Sequence, residues 1–155
     1  MTLTWRQTIR ALIPDARRLC FDTNALIYLL DRVKPYCDWL DPLFASVAFG
    51  EVGAVFSVVT EAEVRVKPLR DRRDEEIDRI AALLSHRNVD VVIADRDIAR
   101  AASTIRADHN LGLPDSLIVA TAIVSGCDAL IGNDKRCASR VTEIRYIYLD
   151  EAVKA

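Results

Sequence analysis

Short apolar segments typical of buried β-strands alternate along this chain with longer segments whose apolar residues recur at helical spacing. Strands that are separated by helices pair in parallel, because each crossover helix packs on a face of the sheet. The pattern therefore predicts an α/β fold, in which a parallel sheet carries helices on both faces. The predicted strands are residues 19–21, 54–59, 89–94, 129–131 and 146–149, and the predicted helices are 4–12, 25–30, 36–49, 60–68, 71–84, 95–110, 114–124 and 133–139.

The length and composition indicate one soluble globular domain. The chain has 155 residues, of which 51% are apolar and 28% charged, with only five glycines and five prolines. This composition excludes disordered, collagen-like and linker-rich chains, and the length suits a single core. The net charge of −2 argues against a protein that binds polyanions through a general basic excess. We therefore expect a single domain over residues 1–155.

The cysteines and the hydropathy pattern restrict the class of protein further. Cysteines stand at positions 20, 37, 127 and 137, without the Cys-x-x-Cys spacing of a zinc module. The sequence has no apolar run long enough for a membrane span and no secretory signal at its N-terminus. We therefore expect a cytoplasmic protein with no membrane association, whose thiols are reduced and mostly buried.

Carboxylates stand where several of the predicted strands end. Asp22 directly follows the first strand, and Asp134 follows the fourth. Glu63 is placed in the first turn of the helix after the second strand, and Asp115 opens the helix before the fourth. Ligands of open parallel sheets bind beyond the carboxyl ends of the strands, so these four side chains are expected to converge. Neighbouring carboxylates repel one another unless cations neutralise them, which predicts a site for one or two Mg²⁺ or Mn²⁺ ions.

Acids near predicted helix starts also have a purely structural interpretation. Glu63 is the third residue after Thr60, which is the spacing of a capping box. Glu61 competes with Glu63 for the ligand role, because an error of one turn would exchange them. Asp95 is interpreted as a helix cap and Asp97 as a first-turn acid that favours the helix dipole, and the alternative is that one of them supports the site.

The other three candidate ligands differ in how well a capping role explains them. Asp115 follows Pro114 in a first helical turn, where it would favour the dipole without any metal. Asp134 would serve as the cap of the helix that follows it. Asp22 has no evident capping role, because Asn24 is itself a good cap residue. All four acids at one sheet edge favour the metal site over four independent caps.

A run of basic residues follows Glu63 along the chain. Its structural interpretation is a solvated junction between helices, which is the usual role of a charged run. Its functional interpretation is a path for a phosphate backbone that leads away from the acids. The two interpretations carry equal weight, and Lys135, Arg136 and Arg140, which come shortly after Asp134, would extend the same path. The candidate nucleic-acid-binding residues are Arg65, Lys67, Arg70, Arg72, Arg73, Lys135 and Arg136.

Four segments together resemble, in order and spacing, the motifs of PIN-domain ribonucleases. They are residues 21–24 (FDTN), 57–64 (SVVTEAEV), 113–122 (LPDSLIVATA) and 132–134 (GND). Each segment alone is a weak signal, whereas the series is a strong one. The sequence is most similar to the toxin members of type II toxin–antitoxin pairs, the VapC-like proteins. The resemblance covers residues 19–150, so that residues 1–18 would form an N-terminal extension.

The resemblance implies a three-layer α/β/α sandwich with a mostly parallel five-stranded sheet. It implies Mg²⁺- or Mn²⁺-dependent endonucleolytic cleavage of RNA, a homodimer and inhibition by an antitoxin protein. Gly132 departs from the pattern, because relatives often carry a Thr or Ser whose hydroxyl helps to order the site. The positions that match the acidic metal site of the family are Asp22, Glu63, Asp115 and Asp134, and Asn24 and Asn133 flank that site.

The sequence is also compatible with other functions. A haloacid-dehalogenase-type phosphatase would also place an Asp after the first strand, but it needs a second Asp two residues later, where this chain has Asn24. A response-regulator receiver is disfavoured, because this chain does not have the paired acids and the lysine of that class at the ends of the right strands. A non-catalytic module with the same fold that binds RNA or protein is the third alternative. Without the four proposed ligands, the remaining residues would carry a net charge of +2.

Overall fold

The computed structural model describes residues 5–155, with side chains from Ile9 onward; Thr4, where the first helix was predicted to begin, lies outside these residues. The strands are β1 (Arg18–Phe21), β2 (Gly53–Ser57), β3 (Val89–Val92), β4 (Ala129–Gly132) and β5 (Tyr146–Tyr148). The helices are α1 (Trp5–Leu12), α2 (Thr23–Leu30), α3 (Tyr36–Ala48), α4 (Val58–Arg70), α5 (Asp74–Leu84), α6 (Arg96–His109), α7 (Leu113–Val124), α8 (Lys135–Arg140) and α9 (Leu149–Ala152).

The strands of the described chain form one sheet in the order β3-β2-β1-β4-β5, and every pairing is parallel. This arrangement confirms the predicted α/β fold. The chain builds outward from β1 to β2 and β3, and then returns to place β4 on the other side of β1. The point between β1 and β4 is therefore the topological switch point, where open parallel sheets bind their ligands.

Alternate residues of the central strands enter two separate cores, which establishes three layers. Leu19 and Phe21 of β1 pack in one apolar cluster, whereas Cys20 between them packs in the other. The same alternation holds along β2 and β4. Because successive side chains of a strand point to opposite faces, one cluster lies on each face of the sheet. Helices α2, α3 and α5 contribute to the first cluster, and α6 and α7 contribute to the second.

Helix α4 begins earlier than the sequence pattern predicted. Its N-cap is Ser57, whose hydroxyl accepts a hydrogen bond from the backbone N–H of Val59 at 3.1 Å. Val58 and Val59 therefore belong to the helix, although their β-branched side chains suggested a continued strand. The helix also continues through Pro68 to Arg70, because a proline near the last turn removes one donor without ending the helix.

Helices α3 and α6 lie within one residue of their predicted bounds. Helix α3 continues from Tyr36 to Ala48 with Pro42 inside it. Helix α6 ends at His109, and its C-cap residue Asn110 adopts the left-handed conformation with φ of 52°, so an asparagine rather than Gly112 occupies this position. Asn is one of the few non-glycine residues that tolerate this conformation. Gly112 is instead the N-cap residue of α7.

The cysteines are mostly buried, as predicted. Cys20, Cys37 and Cys137 are buried, Cys127 is half-buried, and all four are free thiols.

Among residues 5–155, none of the helices has the length and apolar character that crossing a membrane requires.

Candidate functional site

The four predicted acids line one cleft at the carboxyl edge of the sheet. Two of them follow β1 and β4 at the switch point, and the other two lie on α4 and α7. The cleft has a volume of about 300 Å³. It is lined by Asp22, Thr23, Asn24, Ile27, Glu63, Asp115, Ile118 and Asp134.

Asp22 is held at the end of β1 by backbone donors. Its Oδ1 accepts a hydrogen bond from the N–H of Ala25 at 2.8 Å, and its Oδ2 accepts one from the N–H of Asn133 at 3.1 Å. Asp22 is therefore the N-cap of α2, so the expectation that it has no capping role was wrong. Asn24, the predicted cap, lies inside the helix and is exposed on the cleft wall.

The environment of Asp22 opposes its ionisation. The residue is only 9% exposed, and its burial raises the pKa of the carboxyl to about 6, with the charges of Asp115 and Asp134 adding to the rise. The two backbone N–H groups act in the opposite direction but do not compensate for burial. A nearby cation would remove this penalty, and a perturbed acid in a cleft is a common mark of a functional site.

Asp134 is positioned by the loop that follows β4. Its Oδ1 accepts a hydrogen bond from the N–H of Cys137 at 3.0 Å, so it caps α8, as its structural interpretation predicted. Its backbone N–H donates to the hydroxyl of Tyr146 at 3.0 Å. A capping role and a position in the cleft are therefore compatible in one residue, as they are in Asp22.

The predicted flanking residue Asn133 is fixed by a polar network that sequence reasoning missed. Its Nδ2 donates to Tyr28 at 3.1 Å and to the Asp150 carboxylate at 3.2 Å, and its Oδ1 accepts from the Asp150 N–H at 2.9 Å. Tyr36 donates to the same carboxylate at 2.5 Å, which lowers the pKa of Asp150. The available signal was that Asp150 follows the last predicted strand, as Asp22 follows the first.

Glu63 reaches the cleft from the exposed face of α4. Because this helix begins at Val58, Glu63 lies in its second turn rather than its first, and Thr60 is inside the helix rather than at its cap. The predicted capping box is therefore absent. The Glu63 carboxylate accepts a hydrogen bond from the Thr23 hydroxyl at 2.6 Å. Of the two competing acids, Glu63 belongs to the cleft lining and Glu61 does not.

Asp115 enters the cleft from the first turn of α7. The residue is half-buried, and this burial, with the charge of Asp134, raises the pKa of its carboxyl. Arg136 opposes the rise, which places that cation near the acids. Asp115 thus resembles Asp22 in electrostatics, although it is carried by a helix rather than a strand end.

Asp95 and Asp97 lie outside the cleft lining. Asp95 caps α6 through a 2.9 Å hydrogen bond from the N–H of Ile98, as predicted. Asp97 lies in the first turn of that helix and pairs with Arg100 at 3.4 Å. Neither contact involves the four acids of the cleft.

The basic run follows α4 and the turn after it. Lys67 and Arg73 line a second groove, of about 160 Å³, that also includes Glu63 and therefore adjoins the cleft. Arg73 is paired with Asp71 at 2.9 Å and with Glu76 at 2.6 Å, so part of its charge is already offset. The remaining predicted cations of this run are Arg65, Arg70 and Arg72, and the cations after Asp134 are Lys135 and Arg136, both exposed.

The donor chemistry of the cleft suits a hard divalent cation, because all four acids offer carboxylate oxygens. The buried Asp22 carboxylate supports a cation at this place, because its surroundings disfavour the negative charge that a cation would neutralise. Across the described residues 5–155, no three His, Cys, Asp or Glu side chains form a complete ligand group as they stand. Mg²⁺ commonly binds through one or two carboxylates and retains several waters, so the residues fit such an ion in type and charge.

The structure is similar to solved structures of toxin–antitoxin proteins. VapBC2 from Rickettsia felis, bound to a DNA fragment from its promoter, has a TM-score of 0.69 at 14% identity, with 84% of this chain and 98% of that chain covered. VapC20 of Mycobacterium tuberculosis, a Sarcin-Ricin loop cleaving toxin, has a TM-score of 0.64 at 18% identity, with 82% and 98% covered. A toxin–antitoxin complex from Klebsiella pneumoniae has a TM-score of 0.61 at 23% identity, with 82% and 98% covered.

At these identities the structural likeness concerns the fold, and it confirms the predicted α/β/α architecture. A comparison with curated proteins found no match. A family model described as the PIN domain matches residues 19–144, which include all four acid-bearing segments. The chain therefore belongs to the PIN-domain family.

Proposed function

We propose that this protein is an endoribonuclease that hydrolyses RNA phosphodiester bonds with Mg²⁺ or Mn²⁺. The observation that carries the proposal is the convergence of four carboxylates, from four different elements, in one cleft of a PIN domain. The catalytic and metal-binding residues are Asp22, Glu63, Asp115 and Asp134, which would hold one or two ions.

The four acids have different tasks in this proposal. Asp22 and Asp134, which the backbone holds in place, define a fixed position for positive charge. Asp115 adds a half-buried carboxylate near Asp134, and Glu63 adds an exposed one from α4. A divalent cation bound there would polarise the phosphodiester and generate a nucleophile from bound water. Asn133 keeps Asp22 oriented through its backbone N–H.

The path of the RNA follows from the distribution of cations around the cleft. Lys67 and Arg73 line the groove that adjoins Glu63, and the exposed Lys135 and Arg136 directly follow Asp134 along the chain. These residues would contact phosphates on either side of the scissile bond. The acidity of the protein is thus local to the cleft, and bound cations would neutralise it.

The biological role that fits this activity is the toxin of a toxin–antitoxin pair. The support is the fold shared with the VapC20 toxin and with chains solved in toxin–antitoxin complexes. An antitoxin protein that inhibits cleavage, and a homodimer as the active form, belong to the same proposal. Co-expression with the product of the adjacent open reading frame, followed by sizing of the complex, tests both.

The phosphatase alternative is less well supported than the nuclease. It requires an acid two residues after Asp22, where this chain has the exposed Asn24. The match to the PIN-domain family also favours phosphodiester cleavage.

The experiment that tests the nuclease compares Asp22→Asn with the matched control Asp95→Asn. Both aspartates are N-caps that accept one hydrogen bond from the third following residue, and asparagine preserves a cap in each case. Only Asp22 lines the cleft. Cleavage of total RNA with Mg²⁺ should be lost in Asp22→Asn and retained in Asp95→Asn.

The same variants separate catalysis from simple binding. Mn²⁺ should raise the melting temperature of the unaltered protein and of Asp95→Asn, because a ligand that binds only the folded state stabilises it. It should raise that of Asp22→Asn much less. Undiminished cleavage by Asp22→Asn would refute the proposed site. Stabilisation by Mn²⁺ without cleavage of any RNA would support the non-catalytic module instead.

A further inference from the structure

Gly132, the last residue of β4, lies under a side chain from the neighbouring strand. A Cβ atom built at this position would overlap both the Oδ2 atom of Asp22 and the hydroxyl of Tyr146. Glycine in a strand often marks a place where another group approaches closely. Here the missing side chain leaves space for a carboxylate and a phenol to meet above the strand.

Strand register explains how Tyr146 reaches this place. Tyr146 of β5 pairs with Leu130 of β4, and Gly132 is two residues further along β4, on the same face as Leu130. An aromatic side chain can reach the diagonal neighbour on an adjacent strand. Its ring therefore packs with the cluster that includes Leu130, while its hydroxyl extends over Gly132 to the carboxyl edge of the sheet.

The hydroxyl of Tyr146 contacts both strand-end acids. It accepts a hydrogen bond from the backbone N–H of Asp134 at 3.0 Å. It lies 3.5 Å from Oδ2 of Asp22, with its proton directed to that carboxylate. Burial and the charge of Asp22 raise the pKa of Tyr146, so the hydroxyl keeps its proton and can donate and accept at the same time.

We propose that Tyr146 is a positioning residue for metal binding, whose hydroxyl passes over Gly132 and fixes the spacing between Asp22 and the Asp134 loop. The inference rests on the proposed function, because it assigns Tyr146 a role in the same cleft. Gly132 and Tyr146 form one device: the glycine provides the space, and the tyrosine supplies a hydroxyl from β5. Supporting hydrogen bonds of this kind typically change metal affinity by about tenfold or more.

The test measures Mn²⁺ affinity by calorimetry in Tyr146→Phe, with Tyr148→Phe as the matched control. Tyr148 lies on the same strand and also donates one hydrogen bond, but to Oδ2 of Asp150 at 3.2 Å rather than to one of the four acids, and Asn133 binds the other oxygen of that carboxylate, Oδ1. We expect Tyr146→Phe to weaken Mn²⁺ binding about tenfold and to lower kcat with an unchanged KM for RNA. Tyr148→Phe should leave both quantities unchanged, and the metal-free melting temperature reports folding of each variant.

A second variant tests the role of the glycine. Gly132→Ala should also weaken Mn²⁺ binding, because its methyl group displaces the Asp22 carboxylate and the Tyr146 hydroxyl. If the two residues act as one device, the loss in Gly132→Ala/Tyr146→Phe is smaller than the product of the single losses. Fully independent effects would refute the coupling.

The outcomes for Tyr146 and for the proposed nuclease are distinguishable. Mn²⁺ affinity in Tyr146→Phe equal to that of the unaltered protein overturns the role of Tyr146, whatever the RNA assay shows. Equal losses in Tyr146→Phe and Tyr148→Phe overturn it as well. Mn²⁺ binding by the unaltered protein without RNA cleavage overturns the nuclease alone. Absence of Mn²⁺ binding by the unaltered protein overturns both.

Discussion

The two walls of the cleft hold their acids by different means. On the sheet side, Asp22 and Asp134 follow β1 and β4, cap the helices α2 and α8, and receive hydrogen bonds from backbone N–H groups. On the helix side, Glu63 extends from the exposed face of α4, and the hydrogen bond that orients its carboxylate comes from the Thr23 side chain. The acids of the sheet side are therefore held by backbone donors, whereas the acid of the helix side is held by a side-chain donor.

This difference separates fixed charge from adjustable charge. A buried carboxylate held by backbone donors cannot move away from its neighbours, so it bears the cost of burial until a cation arrives. An exposed glutamate on a helix face changes rotamer at little cost and can follow a substrate. We therefore expect substitutions on the sheet wall to affect activity and stability more than substitutions on the helix wall.

The largest expected effect contrasts Asp22→Asn with Glu63→Gln in single-turnover cleavage of RNA. Loss of the fixed carboxylate should lower the rate on the order of 1,000-fold, the scale reached when a preorganised electrostatic group is removed. Glu63→Gln should lower it only about tenfold, because its amide oxygen still accepts the hydrogen bond from Thr23. Equal losses would show that the two walls contribute alike.

A smaller effect concerns stability without metal. The pKa of Asp22 is raised from 3.8 to about 6, so the folded protein binds this proton more tightly than the unfolded chain does. The stability that this group contributes is therefore complete below about pH 4 and is lost as the pH rises through about 6. In the unaltered protein this loss amounts to about 3 kcal/mol. The Asp22→Asn variant avoids it because asparagine carries no charge, but it loses about 1 kcal/mol because asparagine has one carboxylate acceptor fewer.

Asp22→Asn in EDTA should thus be more stable than the unaltered protein by about 2 kcal/mol at pH 7, and not at pH 4. Urea unfolding at the two pH values measures the difference. Glu63→Gln and Asp95→Asn serve as controls and should show no such gain at pH 7. A destabilised Asp22→Asn at pH 7 would contradict the cost assigned to the buried carboxylate.

The smallest effect distinguishes the two cations of the groove beside Glu63. Lys67 is exposed, whereas Arg73 is already paired with Asp71 and Glu76. Lys67→Ala should raise the KM for RNA about threefold at low salt, because one phosphate contact is lost. Arg73→Ala should raise it less. A larger effect of Arg73→Ala would show that its ion pairs open when RNA binds.

Much of this protein could be predicted from its sequence. The parallel sheet followed from short apolar strands between helices, and the convergence of Asp22, Asp115 and Asp134 followed from their places at strand and helix ends. Glu63 was preferred over Glu61 through the family resemblance, and it is the one of the two that lines the cleft. The role of the four acids as metal ligands stays a prediction.

The errors have different physical causes. Helix α4 was predicted to begin at Thr60, because β-branched residues 58–59 match a strand locally and only tertiary packing places them in a helix. The capping role of Asp22 was missed because the helix was predicted to begin at residue 25, whereas α2 begins at Thr23 and makes Asp22 its N-cap. The hydrogen bonds of Asp150 to Tyr36 of α3 and of Tyr146 to Asp22 join residues more than one hundred positions apart, which local patterns do not reveal.

The sequence by itself determined the alternation of strands and helices, and it placed an acid directly after β1 and another near the end of β4, because hydrophobic periodicity and chain order are local properties. Only the tertiary structure decided which acids are buried, which are held by backbone donors and which hydroxyl lies over Gly132. Those properties depend on strand order and register, which bring β4 and β5 beside β1. The packing of elements that are distant in the sequence sets the burial and the hydrogen-bond partners of the acids. These in turn set the pKa values of the carboxylates in the cleft.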